Sequence, residues 1–346
     1  MRYDKSMKTN TIILSTVFIA FTLSLCACQK DIRTCSGYVI LSTSSEESAT
    51  SKIEKKIPNY LTTLPIPSEF KQTNENKGFV ETFEYETIIY DINGNGTTVV
   101  KKKAQVYLPY DYDERYQYDV LYLMHGGGED EKYWLTKEKD TTKVLDNIFA
   151  EGIANPCIIV CPTFYTGTSS GGSMNSEATD IFQYEFRNDL VPAIEADYAT
   201  YCDGDTSIDN LIATREHRGF AGLSMGSMTS IRAALLGNLD ICAYISSMSG
   251  GYDASDDTGE LGFAKVEEAI TETFKDYPLL YWLNQNGTDD IALGPHEKLK
   301  DLVLDRLSDY FIEDENYKWI LFPGGQHNFD AWLVHLYNTL QIFFQP

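Results

Sequence analysis

Neither the Gly-x-x-x-x-Gly-Lys-Ser/Thr pattern of a phosphate loop nor a pair of Cys-x-x-Cys motifs occurs in the 346 residues. The usual sequence routes to a nucleotide site and to a structural zinc site are therefore missing. No long internal repeat is present. Basic residues are scarce: 28 Lys and Arg stand against 51 Asp and Glu, a net charge of −23. A surface of that sign repels phosphates, so nucleic acid is not expected as a partner. No apolar run is long enough for a comfortable membrane span. The longest, from Thr11 to Leu25, has about fifteen residues, short of the roughly 20 that a spanning helix needs. The seven cysteines do not suggest a disulfide framework. Cys157 and Cys161 lie four apart in an expected strand, roughly 13 Å from each other, and cannot bond. Cys202 and Cys242 could pair, but buried free thiols are the simpler expectation.

What is present falls into three parts. Residues 1–27 read as a signal peptide, with Arg2, Lys5 and Lys8 ahead of the apolar stretch. It ends in Leu25-Cys26-Ala27-Cys28, which resembles the bacterial lipoprotein signal. That resemblance implies that Cys28 becomes a lipidated N-terminus, anchoring an exported protein to the cell surface. An ordinary secretory cleavage near Ala27 is the alternative. Residues 28–77 are rich in Ser, Thr, Lys and Glu and hold no period, as a flexible tether would. From residue 78 to 346 strand-like and helix-like segments alternate, so this is the expected catalytic domain. Val80–Asp91 and Thr97–Leu108 predict a hairpin around Asn93-Gly94-Asn95-Gly96. Buried strands are expected at Val120–Met124, Cys157–Cys161, Cys242–Ser249, Leu279–Leu283 and Tyr317–Phe322, with helical spacing over Phe182–Tyr198 and from Phe329 onward. The order implies an α/β fold: a mostly parallel sheet, helices on both faces, and an antiparallel hairpin at its N-terminal edge. Ligands then bind at the carboxyl ends of the strands.

The stretch that organises the rest is Gly222-Leu223-Ser224-Met225-Gly226. It lies between a short apolar run and a helical pattern, the context of the G-x-S-x-G nucleophile elbow. The turn strains the serine and needs glycine on either side of it. It also sets Ser224 at a helix N-terminus, where the N–H of Met225 can meet a developing oxyanion. A second donor is expected from His125-Gly126-Gly127-Gly128, Gly127 being the first choice. His125 itself is expected to brace that loop.

An acyl-transfer site also needs a base and a group to orient it, in the chain order Ser, acid, His. Three histidines follow Ser224. His327 lies in Pro323-Gly324-Gly325-Gln326-His327, between the last strand and the last helix, where an imidazole can be held over the serine. His335 falls inside the last helix, and His296 follows Gly294-Pro295 in an expected loop. The acid is expected after the preceding strand, where Asp290 is preferred and Asp289 is its alternative. Trp134, Phe164, Tyr165 and Tyr252 follow loops at the carboxyl edge. They are candidates for stacking on substrate, although with 23 tyrosines and 17 phenylalanines packing explains them as well.

The segments Tyr107-Leu108-Pro109, Val120–Gly128, Arg218–Gly226 and Gly324–Trp332 make the chain similar to the esterase-D-like α/β-hydrolases, and within them to carbohydrate esterase family 1. The resemblance runs over about residues 78–344. It implies a triad of Ser224, Asp290 and His327, and hydrolysis of feruloyl or acetyl esters on plant cell-wall xylan, with no metal or cofactor. The chain departs from the family at Ser227, where glycine is frequent, and at Asn328, where aspartate commonly follows the histidine. A thioesterase or mycolyl-type acyltransferase on the same fold, and a polysaccharide-binding lipoprotein without catalysis, are the competing readings.

Overall fold

The computed structural model describes residues 65–166 and 177–345. The expected signal peptide, Cys28 and all but the last part of the expected tether lie outside them. The end of that tether is not loose. Residues Ser68–Lys71 form a 3-10 turn whose Phe70 is buried, edge-on to Tyr337. The packed domain therefore begins before residue 78.

Among the described residues eight strands form one sheet: β1 (Phe79–Ile88), β2 (Val99–Leu108), β3 (Val120–Met124), β4 (Ile158–Cys161), β5 (Arg218–Leu223), β6 (Tyr244–Met248), β7 (Tyr281–Gly287) and β8 (Tyr317–Phe322). Their spatial order is β1-β2-β4-β3-β5-β6-β7-β8. The first two junctions are antiparallel and the rest parallel. The expected hairpin is the sheet's first edge. Its solvent-facing charges alternate in sign across the pair, Glu84 opposite Lys103 and Glu86 opposite Lys101.

The helices are α1 (Lys139–Ala150), α2 (Glu177–Glu185), α3 (Val191–Asp197), α4 (Ile208–Ala213), α5 (Met225–Thr229), α6 (Leu236–Asn238), α7 (Glu260–Glu268), α8 (Leu293–Arg306) and α9 (Phe329–Ile342). Single π turns join α2 to α3 at Phe186–Leu190 and α5 to α6 at Ser230–Leu235. The continuous apolar run of β3 serves two cores because side chains alternate along a strand. Val120, Tyr122 and Met124 enter one core, with Phe186, Ile194 and Ile231 from α2–α6. Leu121 and Leu123 enter the other, with Ile148 of α1 and Leu336 and Leu340 of α9. Burial on both faces explains why alternating polarity is missing from the central strands. Cys157, Cys161, Cys202 and Cys242 are buried free thiols, so the Cys202–Cys242 bridge does not form.

Candidate active site

β5 is central, between β3 and β6, and it ends in the turn at Ser224. Ser224 has φ 54°, a backbone conformation that costs a non-glycine residue of order 1–3 kcal/mol. Its neighbours show why they are glycines. A Cβ on Gly222 would stand 2.3 Å from the carbonyl oxygen of Gly226, and one on Gly226 would stand 2.4 Å from that of His125. The serine N–H donates to Met248 O on β6, which ties the turn to the next strand. Met225 opens α5, and the first N–H groups of a helix have no intrahelical acceptor.

The loop after β3 passes beside this turn. A Cβ on Gly126 would reach within 3.3 Å of the Ser224 Cβ. His125 is buried, and burial lowers its pKa to about 4, so the ring is neutral. Its Nδ1–H donates to Gly126 O at 2.7 Å, which leaves Nε2 to accept from the Thr163 hydroxyl at 2.8 Å. Because a trans peptide points its C=O and N–H in opposite directions, a carbonyl held by His125 turns the N–H of Gly127 the other way. The bracing role expected of His125 is thus what the structure shows.

Acid and base arrive on two loops pressed together. A Cβ on Gly287 would lie 2.0 Å from Gly325 O, so only glycine permits the approach. Asp289 N–H donates to Gly325 O and Gly324 N–H to the Thr288 hydroxyl, fastening one loop to the other. His327 Nε2 lies 3.0 Å from Ser224 Oγ, and its Nδ1 lies 2.8 Å from Asp290 Oδ1. The ring also meets Trp332 of α9 edge-on at 5.1 Å. Burial alone would raise the Asp290 carboxyl. Hydrogen bonds from His327 and from the Ala292 N–H overcome it and hold the carboxyl below its ordinary range. Asp289 is exposed and reaches no histidine; its carboxylate accepts from Thr288. His296 and His335 are fully buried, His296 between Asn284 and Asn286, and neither approaches the serine by hydrogen bond. His296 lies in the first turn of α8, where a loop was expected.

The hydroxyl and imidazole open onto a cavity of about 310 Å³. Its wall is mostly apolar: Met225, Met228, Ala254, Ile291, Ala292 and Pro295. Ile291 is 86 % exposed, the most exposed of the large hydrophobic side chains among the described residues. None of the aromatic residues expected to stack on substrate lines this cavity. Trp134 is sealed inside, its indole N–H donating to Met124 O. The Tyr165 hydroxyl accepts from the Gly128 N–H, and Phe164 packs on His125. Tyr252 lies under the Arg232 guanidinium, 4.5 Å from its ring centre. The wall comes from α5 and from the loops after β6 and β7. The only sequence signal for it was an isoleucine directly after the acid.

The two departures from the family pattern have local reasons. The buried Ser227 hydroxyl donates to Gly250 O, and Asn328 caps α9 by accepting from the Ala331 N–H. Among the described residues no group of three or more His, Cys, Asp or Glu side chains could hold a metal ion.

Sheet, crossovers and strained serine define an α/β-hydrolase. The family model named Esterase matches residues 97–341, and the chain belongs to that family. It is 33 % identical over 255 residues to endo-1,4-beta-xylanase Y of Acetivibrio thermocellus, covering 72 % of this chain and 22 % of that protein. It is 31 % identical over 153 residues to an endo-1,4-beta-xylanase/feruloyl esterase of Xylanibacter ruminicola, covering 43 % of this chain and 19 % of that one. The chain thus spans about a fifth of the length of these curated relatives. Among solved structures it is similar to the feruloyl esterase module from Clostridium thermocellum complexed with sinapinate. That match has a TM-score of 0.70 at 28 % identity, over 82 % of this chain and 94 % of the other. A ferulic acid esterase from Anaeromyces mucronatus shares the fold at TM-score 0.61 and 22 % identity, over 80 % of this chain and 96 % of that one.

Proposed function

We propose that this protein is a serine carboxylesterase that releases hydroxycinnamoyl groups, such as feruloyl, from xylan or its oligosaccharides. The observation that carries the reading is the unbroken relay Ser224–His327–Asp290 at the mouth of an apolar cavity. In the proposed reaction Ser224 Oγ attacks the ester carbonyl carbon and its proton passes to His327 Nε2. Asp290 keeps the imidazole aligned and stabilises its charged form. The oxyanion rests on the N–H groups of Met225 and Gly127. The carbon–oxygen bond to the sugar then breaks and His327 returns its proton to the departing sugar oxygen. A water molecule, deprotonated by His327, attacks the acyl-enzyme and frees the acid.

The size of the cavity supports the larger acyl group. A cavity of about 310 Å³ is in the range that holds a compact drug-sized ligand. An acetyl group would leave most of it unfilled. Met225 and Met228 offer polarisable sulfur to an aromatic ring. The feruloyl esterase names of the relatives point the same way. For residues 1–27 and Cys28 we propose export and lipid anchoring, on the sequence pattern alone.

The test compares wild type with Ser224→Ala on methyl ferulate and p-nitrophenyl acetate, together with fluorophosphonate labelling. The expected result is loss of both activities and of the label, with wild type favouring the ferulate in kcat/KM. Turnover by Ser224→Ala at the wild-type rate would remove the nucleophile, and a preference for acetate would remove the acyl assignment.

A further inference from the structure

Ser249 follows the last residue of β6 and shares the cavity wall with Ser224 and His327. It is fully buried, and its φ is 56°. Glycine takes that conformation freely, whereas a residue with a Cβ is strained there by about 1–2 kcal/mol. The next two residues, Gly250 and Gly251, are glycines, so the segment accommodates them. A serine here costs backbone energy and gains no hydrogen bond of ordinary geometry, because among the described residues its Oγ has no partner. Asp290 has one oxygen committed, Oδ1 to His327 and Ala292, while its other oxygen, Oδ2, is buried and likewise without a partner. Two buried orphans of opposite hydrogen-bonding sense, each costing about 1–3 kcal/mol alone, stand on adjacent strand ends. The Ser249 N–H donates to Gln285 O, which ties the end of β6 to β7, the strand that leads into the loop carrying Asp290. Although outside ordinary hydrogen-bond geometry, the Ser249 hydroxyl is close enough to Asp290 to contribute to holding its carboxyl below its ordinary range.

We infer that Ser249 is a positioning residue for the acid: on turning about its Cα–Cβ bond, its hydroxyl donates to Asp290 Oδ2 and fixes the carboxylate plane against His327. The inference rests on the Ser224–His327–Asp290 reading. The other titratable groups around Asp290 are His296 on α8 and His335 on α9, both held neutral by burial with pKa lowered to about 3. Neither adds charge at working pH, so beyond His327 and the Ala292 N–H the Ser249 hydroxyl is the group left to tune the carboxylate.

Ser249→Gly is the informative variant, since it removes the hydroxyl and also relieves the backbone. Ser249→Ala removes the hydroxyl and keeps the strain. Without the donor the carboxylate charge is less dispersed and favours the imidazolium of His327 more strongly. The acid limb of kcat/KM should therefore move to higher pH, by roughly half a unit, in both variants. kcat should fall about three- to tenfold with KM little changed. A purely structural serine would leave the acid limb in place, and an unmoved limb in Ser249→Gly with wild-type kcat would overturn the inference. Ser224→Ala, run beside it, separates the two failures. If Ser224→Ala is inactive and Ser249→Gly is silent, only the role of Ser249 falls. If Ser224→Ala is active, the relay itself falls.

Discussion

The two ends of β5 are built on opposite terms. At its start, Arg218 is 1 % exposed and saturated: it donates to both carboxylate oxygens of Glu195, to Leu211 O and Ile241 O, and to Thr214 and Cys202. At its far end, about 20 Å away along the strand, stand a strained serine and several buried polar atoms without partners, on Ser249, Asp290, Asn286 and His335. One end uses buried charge to lock neighbouring loops and helices. The other sets the strained Ser224, and Ser249, whose hydroxyl has no hydrogen-bond partner among the described residues, at the wall of a cavity. Strand direction sorts the two, since helix N-termini and crossover loops gather at the carboxyl ends of parallel strands.

The contrast can be broken most severely at Ser224. Ser224→Ala should lower kcat/KM on methyl ferulate by about 10⁴-fold or more while changing the melting temperature little. Activity retained with an unmelted fold would dissolve the distinction. At the opposite end, Arg218→Met should act in the reverse sense. It strands Glu195 as an unpaired buried charge, costing about 3–5 kcal/mol of stability. The rate per folded molecule should be unchanged, measured by denaturant unfolding and active-site titration together. A lower rate with unchanged stability would show that the ends are not separate.

Ile291→Asp sharpens the comparison at the cavity rim. It exchanges an exposed apolar side chain for a charge beside an acidic site, and KM for methyl ferulate should rise about tenfold, equivalent to ~1.4 kcal/mol, with kcat nearly constant. An unchanged KM would take Ile291 out of the acyl pocket. The smallest effect at neutral pH belongs to His335→Leu. Both ring nitrogens of His335 are buried without partners, and its pKa is lowered from 6.5 to about 3. The unfolded chain therefore takes up a proton before the native one does. Stability falls as pH drops below 6.5 and goes on falling to about pH 3. His125 and His296, lowered to about 4 and about 3, act in the same direction. The melting temperature of His335→Leu should fall less than that of wild type between pH 7 and pH 4.5. Parallel curves would mean that His335 takes its proton in the native fold.

Legibility in the sequence followed how local each signal was. The elbow, the buried run Val120–Met124 and the last strand were readable because neighbours in sequence set them. Asp290 and His327 were placed by chain order and by glycines whose steric purpose appears only where Gly287 meets Gly325. β7 was harder. Its apolar run stops at Leu283, yet the strand continues through Asn284, Gln285 and Asn286, which are buried. Gln285 is held by Ser246, Thr339 and the His335 carbonyl, contacts that no local pattern reveals. Gly294-Pro295 read as a loop, but proline is tolerated in a helix's first turn, and α8 starts there. Trp134 was expected at the carboxyl edge as a stacking candidate, but it is sealed inside the domain. Which way its indole turned was decided by the Met124 carbonyl. The cavity wall was least legible, because most of it belongs to loops that meet only after the sheet has formed.

The hairpin at the sheet's first border has a consequence for how molecules meet. Among the described residues β1 pairs on one side only, with β2, so its outer row of peptide groups is an edge to which another strand could add. Along that row Glu81, Glu84 and Glu86 recur. A second copy aligning there would bring carboxylate against carboxylate, and like charges across strands repel. Glu84 and Glu86, which stand opposite Lys103 and Lys101 on β2, thus also work against strand-to-strand aggregation at this border, most strongly at low ionic strength, where screening is weakest.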